Sequence, residues 1–561
     1  MFDRFSAMWG RRPRLRRTPG SGCASAALWA LESAFVRLAE KKTLAILVAG
    51  FLPLFARALL LPILPVPRPA IQDEFSYLLA SDTFASGRLV NPTPALPEHF
   101  ETLQELIRPV YASKYPPLWG LVMAAGQKLT GQPWMGVWLS MGVLCATLCW
   151  ALQGWLPAVW ALTGSLIAAL HIGIVSYWTE SYWGGTCTAI GGALLIGAAP
   201  RLIDRPRMSS ALAFAAGLAV LANTRPFEGL VFAVVCTGWL VFKWIRGRTG
   251  IALVLRRAIL PMALLLVPVA AWMAYYNFRV TGHALELPYV AHDRQYALLE
   301  PVLWETQLRP APAYSNTFLR DFWQADRDEK LRAHRQLLPA HIWDFLLVVR
   351  FLLGWPLAAC MLVVARPLWR DPIARTALVL GLIAYIGPAL DTRVWPHYAA
   401  AETVLAYILA ASTLRALRNA WPGVEGAYLM WAALVVFALP TALGLLTSDN
   451  RYLLGSSAYL SAAKHAVIEE KLEKQPGEHL VLVSYGPHHE IYEELVYNHA
   501  DIDGSKVVWA RSLGAAKDAE LIRHYPNRDV WLVEEDAKVT LSRAPLAAPS
   551  YSSRLQTTMS K

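Results

Sequence analysis

Charge is scarce in this chain. Only 17% of its 561 residues are Asp, Glu, Lys or Arg, against roughly a quarter in a typical soluble domain. Cysteine is scarce too: six residues, with no spacing that resembles a zinc site or a disulfide framework. Cys145, Cys149, Cys187, Cys236 and Cys360 lie in or beside apolar runs and Cys23 lies in the basic N-terminal segment, so they read as packing residues. Internal repeats are lacking, and so is low-complexity sequence apart from the arginine-rich start. These absences exclude a secreted disulfide scaffold and a repeat protein.

Long uncharged runs are what the chain does have. They recur along most of its length, and runs of about 18–20 apolar residues match the hydrocarbon thickness of a bilayer. Trp (23) outnumbers Phe (18), as expected where indoles sit at membrane interfaces. A soluble enzyme and a disordered chain are therefore excluded as well. The formal charge of +11 does not call for nucleic acid, because the arginines collect in short loops between apolar runs, as positive-inside orientation requires.

Residues 1–42 carry Arg4, Arg11, Arg12, Arg14, Arg16, Arg17, Arg37, Lys41 and Lys42 against three acids, which predicts a cytoplasmic N-terminus. Ala26–Glu40 is amphipathic at helical spacing, suited to lying along the inner surface. Spans are expected near 43–66, 134–152, 156–174, 184–200, 208–224, 226–244, 258–278, 343–364, 376–391, 397–414 and 427–447, about eleven in all. The basic loops Arg201–Arg207, Lys243–Arg257, Arg366–Arg375 and Arg415–Arg418 then share the cytoplasmic side. Pro116–Leu129 is short and carries Gln127 and Lys128, and counting it as a span would spoil that pattern. It is read as a half-inserted or interfacial helix. The hydrophilic loops 67–115 and 279–342 are exported, along with the segment after about 449.

That last segment changes composition to soluble. Ala462–Lys474, His489–Asn498 and Gly514–His524 read as helices, and Leu480–Ser484, Lys506–Ala510 and Asp529–Val533 as short buried strands. The alternation implies a small parallel α/β domain over 449–545, followed by a disordered tail at 546–561. The fold class expected is an α-helical polytopic membrane protein with a small C-terminal α/β domain.

Nearly every polar cluster near a span end that is not a basic loop falls on the exported face. The first loop opens with Asp73 and Glu74. Adjacent carboxylates can serve as a general base or bind a cation, or can simply favour a helix N-terminus. The loop ends at Ser113-Lys114-Tyr115-Pro116-Pro117, where Pro-Pro gives a rigid re-entry and Lys114 is either a snorkelling anchor or a phosphate ligand. Glu180 is a lone acid between two spans. Arg225 and Glu228 stand at the tip of a tight hairpin, where they either pair locally or serve a site. Arg279 and His283 follow a span end, with Tyr289, His292, Asp293 and Arg294 beyond. Asp391, Arg393, His397 and Tyr398 form a final cluster.

An N-terminal cytoplasmic end, one span, an exported loop starting with Asp73-Glu74, and re-entry at Lys114-Tyr115-Pro116-Pro117-Leu118 together resemble the GT-C glycosyltransferases. Within that class the chain resembles the bacterial RgtA/B/C/D-like enzymes, akin to protein O-mannosyltransferases and the lipid A aminoarabinose transferase. The resemblance covers roughly 43–415. It implies a multi-pass enzyme of the bacterial inner membrane using a polyprenyl-phosphate sugar donor, with inversion at the anomeric carbon and a glycan, lipid or protein acceptor. By this resemblance Asp73 is the base, with Glu74 beside it, and Lys114 contacts the donor phosphate. Glu180 stands where relatives carry an acid. Arg225 and the Arg393–Tyr398 cluster match less sharply; no cofactor is called for, and the need for a divalent cation stays open.

The chemistry is coherent on the residues alone. A phosphate leaving group needs cationic donors, which Lys114 and Arg225 supply, and the acceptor proton needs a carboxylate opposite them. Two other classes remain. A transporter or flippase of lipid-linked substrates would need ionisable residues at mid-span and often inverted repeats. A non-catalytic envelope assembly protein would use the C-terminal unit, whose Gly486-Pro487-His488-His489-Glu490 turn follows a strand but lacks a G-x-G-x-x-G pattern.

Overall fold

The computed structural model describes residues 32–69, 71–421, 425–447, 456–492, 494–536 and 539–544. The basic start up to residue 31, Cys23, the boundary near 449 and the tail 546–561 lie outside the described residues.

Among the described residues, eight helices are long and apolar enough to cross a membrane, and three shorter apolar helices accompany them at 158–173, 208–222 and 425–438. They fall at the positions that the uncharged runs mark. α1 (Lys42–Leu59) ends just before Pro62, Pro65 and Pro67, which cannot donate the amide hydrogens a continuing helix needs. The first loop then folds as α2 (Gln72–Ala85) and a two-stranded antiparallel pair, β1 (Glu105–Leu106) and β2 (Ala112–Ser113). α3 (Pro117–Thr130) has 14 residues, about 21 Å at 1.5 Å per residue, short of a bilayer core of about 30 Å. Its Gln127 bonds Ser81 and Asp82 of α2, so a polar contact holds its end.

The bundle continues with α4 (Trp134–Leu152), α5 (Ala158–Ala168), α6 (Thr186–Asp204), α7 (Met208–Ala222), α8 (Pro226–Arg246) and α9 (Leu260–Thr281). Small residues let these helices meet closely. A Cβ on Gly217 of α7 would lie 2.7 Å from the Gly191 carbonyl oxygen of α6. The second loop contributes α10 (Pro288–Tyr296) and α11 (Thr317–Arg335). α12 (Leu337–Val363) breaks at Gly354, whose φ of 67° lies in the left-handed region that glycine tolerates, two residues before Pro356. α13 (Pro372–Ala384), α14 (Thr403–Ala420) and α15 (Glu425–Thr447) complete the apolar part.

The C-terminal unit begins with α16 (Ser456–Glu473) and contains β3 (Glu478–Tyr485), β4 (Val507–Arg511), α17 (Ala515–His524), β5 (Arg528–Glu535) and β6 (Thr540–Arg543). The sheet order is β4-β3-β5-β6, with β3 parallel to β4 and β5, and β6 antiparallel at the edge. The three expected strands form. The helix expected over 489–498 does not: Glu494 accepts from the Leu495 and Val496 amides, and the Asn498 side chain exchanges two hydrogen bonds with the Trp509 backbone. Side-chain bonds of this kind compete with a helix ladder.

This unit is packed onto the first loop. Leu79, Phe100, Ile107 and Tyr111 share one apolar core with Leu480, Leu482, Val508, Ala510 and Leu521. Phe75 stacks on Tyr497 at 4.0 Å, and the Ala500 amide donates to Asp82 at 2.8 Å. The second loop joins through Phe318, stacked on Tyr485 at 4.9 Å.

Candidate active site

The two acids that open α2 have different fates. Consecutive helical residues point about 100° apart, so one faces the core and its neighbour does not. Glu74 is fully buried. Its carboxylate accepts from the Ile71 amide at 3.1 Å and from the Tyr182 amide at 2.7 Å, which satisfies a helix-start donor and fastens a distant loop. These bonds give Glu74, the second catalytic candidate, a structural task. Asp73 is half-buried, and its carboxylate accepts a hydrogen bond from the Tyr115 hydroxyl.

Tyr115 ties the start of the loop to its end. Burial, reinforced by the Asp73 charge, holds its phenol protonated far above the usual value, so it stays a donor. Its ring stacks on Tyr77 at 4.2 Å. Lys114 does not snorkel to lipid. Its Nζ lies 5.5 Å from the Tyr115 ring centre and 3.8 Å from Asp293 Oδ1 of α10. Burial alone would raise the Asp293 pKa, but Lys114 and His292 outweigh it and bring it down to about 2. His292, fully buried, is held down to about 4 by burial and by the Lys114 charge. Lys330 of α11, bonded to Asp326 at 2.7 Å and to the Leu299 carbonyl at 3.0 Å, acts on Asp293 from the other side. The first and second loops therefore meet in a buried band of alternating charge.

Arg225 enters from the α7–α8 tip. That tip touches the re-entry directly, since the Leu118 amide donates to the Asn223 carbonyl at 3.1 Å. The Arg225 guanidinium lies 3.1 Å from Glu228 and 4.3 Å over the Tyr398 ring. The charges of Asp73 and Arg225 both act on the hydroxyls of Tyr77 and Tyr398. Asp391 stands on the same side. Burial and the Glu228 charge push its pKa up to about 7, against a bond from the Arg393 amide.

The structure thus brings together Asp73, Lys114, Tyr115 and Arg225. It does not bring Glu180 to them. Glu180 accepts two bonds from Arg57 of α1, at 2.6 and 3.0 Å, and this closed pair corrects its reading as a site acid. Arg279, in the last turn of α9, and His283, just beyond its end, are exposed, with Arg279 on the Tyr275 hydroxyl at 3.1 Å. Both leave the site. Arg393 pairs with Glu329 of α11 at 2.7 Å, bracing the loop rather than lining the cluster. His397 is fully buried between Tyr177, 3.1 Å from its Nδ1, and the Trp183 ring at 4.3 Å; it packs behind the site. The turn at Gly486 is closed by its own chain: a Cβ there would lie 2.4 Å from Asp536, which also accepts from the His488 amide at 2.9 Å.

Sequence reasoning missed Tyr77, which lies four residues after Asp73 and so on the same helix face. It also missed the Lys330–Asp326 pair. Among the described residues, no group of three or more His, Cys, Asp or Glu side chains converges as a metal site.

No family model and no curated protein matches the chain. Solved structures that it is similar to include ArnT from Cupriavidus metallidurans bound to undecaprenyl phosphate, at 13% identity and TM-score 0.48, covering 91% of this chain and 93% of that one. Another is the Archaeoglobus fulgidus oligosaccharyltransferase tethered with an acceptor peptide, at 12% identity and TM-score 0.46, covering 87% and 68%. A third is AglB from the same organism in complex with an inhibitory peptide and a dolichol-phosphate, at 12% identity and TM-score 0.42, covering 87% and 69%.

Proposed function

We propose that this chain is a GT-C-type membrane glycosyltransferase that moves a sugar from a polyprenyl-phosphate donor to an acceptor hydroxyl on the exported face of the bacterial inner membrane. The observation that carries the reading is the Asp73–Tyr115–Lys114 array, with Arg225 over the Tyr398 ring and its charge, like that of Asp73, felt at the Tyr77 hydroxyl. A carboxylate and two cations lie where a helix re-enters the membrane, the depth at which a lipid-linked phosphate sits.

In this reading Asp73 takes the proton of the acceptor hydroxyl as that oxygen attacks the anomeric carbon. The bond from carbon to phosphate oxygen breaks, and its electron pair leaves on the polyprenyl phosphate. Attack opposite the leaving group inverts the centre. Lys114 and Arg225 stabilise the departing phosphate by charge-assisted hydrogen bonds. To do so each exchanges a carboxylate, Asp293 or Glu228, for a phosphate. The Tyr115 hydroxyl orients the base and withdraws as the acceptor arrives.

Incubating membranes with labelled polyprenyl-phosphate sugars tests the reading. Asp73→Asn keeps the shape but cannot accept the proton, and a loss of about 10²–10⁴-fold in rate is expected. Turnover near wild type in that variant would remove Asp73 from the mechanism. Orientation is tested separately with Ser505→Cys, which should react with a membrane-impermeant thiol reagent on intact cells. Labelling only after lysis would reverse the sidedness.

A further inference from the structure

Arg225 stands at one end of α7. At the other end, about 22 Å away along 15 residues, a cavity of about 850 Å³ opens at the turn between α6 and α7. Its lining is dominated by hydrogen-bond donors. Arg205 and Arg207 are exposed there and make no side-chain hydrogen bond or ion pair among the described residues. Ser210 is only 6% exposed, lines the cavity, and its hydroxyl has no partner among the described residues. The first intrahelical bond of α7 is Ala211 to Arg207, and the N-cap residue Arg207 offers no side-chain acceptor, so the amides of Ser209 and Ser210 also point outward unbonded. Against these donors stands one carboxylate, Asp204.

Arg201 is not free in the same way. It donates to the Trp150 carbonyl at 2.8 Å and to the Gly197 carbonyl, and lies 4.3 Å over the Trp150 ring. It forms a cationic wall whose charge no carboxylate neutralises. Three guanidinium groups and one carboxylate leave the cavity positive, with donors in the majority. That is the chemistry of a phosphate site. Its depth narrows the source. α4 ends at Leu152 and α6 at Asp204, and an indole at the rim marks the bilayer–water boundary. A basic pocket between membrane helices at that level suits an anionic lipid headgroup.

We propose that this cavity binds the phosphate of an anionic membrane lipid, in the leaflet opposite the candidate active site. The assignment stands whether or not the chain transfers sugar.

The full-length protein in detergent is titrated with dihexanoyl phosphatidylglycerol, dihexanoyl phosphatidylcholine or inorganic phosphate while its Tm is followed. The anionic lipid should raise Tm saturably and the zwitterionic lipid should not. Arg205→Gln/Arg207→Gln should weaken half-saturation by at least about tenfold, the loss expected from one or two charge-assisted hydrogen bonds, with Tm unchanged in the absence of lipid. Ser210→Ala, a smaller change, should weaken it by a few-fold and serves if the double variant does not fold. Equal half-saturation in wild type and both variants would overturn the site. Saturation by inorganic phosphate as tight as by the anionic lipid would overturn the lipid assignment and leave a free-anion site.

Discussion

Two buried arginines in this molecule each face a glutamate, and they are held differently. Arg57 is 0% exposed, gives Glu180 two bonds, and gives two more to the Leu64 and Pro65 carbonyls. Four of its five hydrogens are spent, so it locks α1 to the 176–183 loop. Arg225 is 16% exposed, makes one contact with Glu228 through one nitrogen, and rests on the Tyr398 ring. Its other nitrogens make no hydrogen bond among the described residues, so it has donors to offer. A guanidinium with four of its hydrogens held by neighbours is structural; one with most of them to spare is equipped for an anionic ligand.

The largest effect that would break this contrast is on stability. Arg57→Leu leaves Glu180 buried without its counter-charge, and breaking such a pair costs about 3–5 kcal/mol. The variant should lose its thermal transition in detergent well below wild type, or fail to accumulate in membranes. An unchanged Tm would mean the pair is not a lock.

A smaller effect sharpens the other half. Arg225→Gln/Glu228→Gln removes both charges, so no orphan is left inside. Tm should shift little, while KM for the polyprenyl-phosphate donor rises by about 10–100-fold, corresponding to roughly 1.5–3 kcal/mol for hydrogen bonds to a charged group. If KM is unaffected, Arg225 belongs with Arg57 as structure.

The smallest effect concerns pH. Asp293, with Lys114 and His292 beside it, is held down to about 2 and stays ionised across any assay range. Asp391 is pushed up to about 7 by burial and by Glu228. In the unfolded chain it ionises near 4, so between about pH 4 and 7 the folded state holds one proton more. Stability should therefore fall as pH rises through that window and level off above it. Asp391→Asn should flatten this slope and raise Tm at pH 8 by a few degrees; an identical slope in the variant would assign the pH dependence to another group.

The apolar helices were legible because length and hydropathy decide them locally: a run such as Trp134–Leu152 has no alternative to burial in lipid or protein. The acids at 73 and 74 were legible as a helix start. Which of the two is spent on structure was not, since the Tyr182 amide that claims Glu74 lies 108 residues away. The same holds for Lys114, whose carboxylate partner sits in the second hydrophilic loop. Tyr77 was readable from its spacing to Asp73 and was passed over. The 489–498 segment carries helix-forming residues, but Glu494 and Asn498 turn their side chains onto the backbone, a long-range outcome that periodicity does not encode.

The core shared by Leu79, Phe100, Ile107 and Tyr111 with Leu480, Val508 and Leu521 has a consequence for biosynthesis. The loop bearing Asp73 leaves the ribosome among the first segments, yet half of the apolar surface it packs against is translated among the last. Until the sheet strands emerge, that loop waits with its apolar face uncovered. Nascent chains halted before Val507 should be prey for quality-control proteases at the first loop, far from the truncation itself.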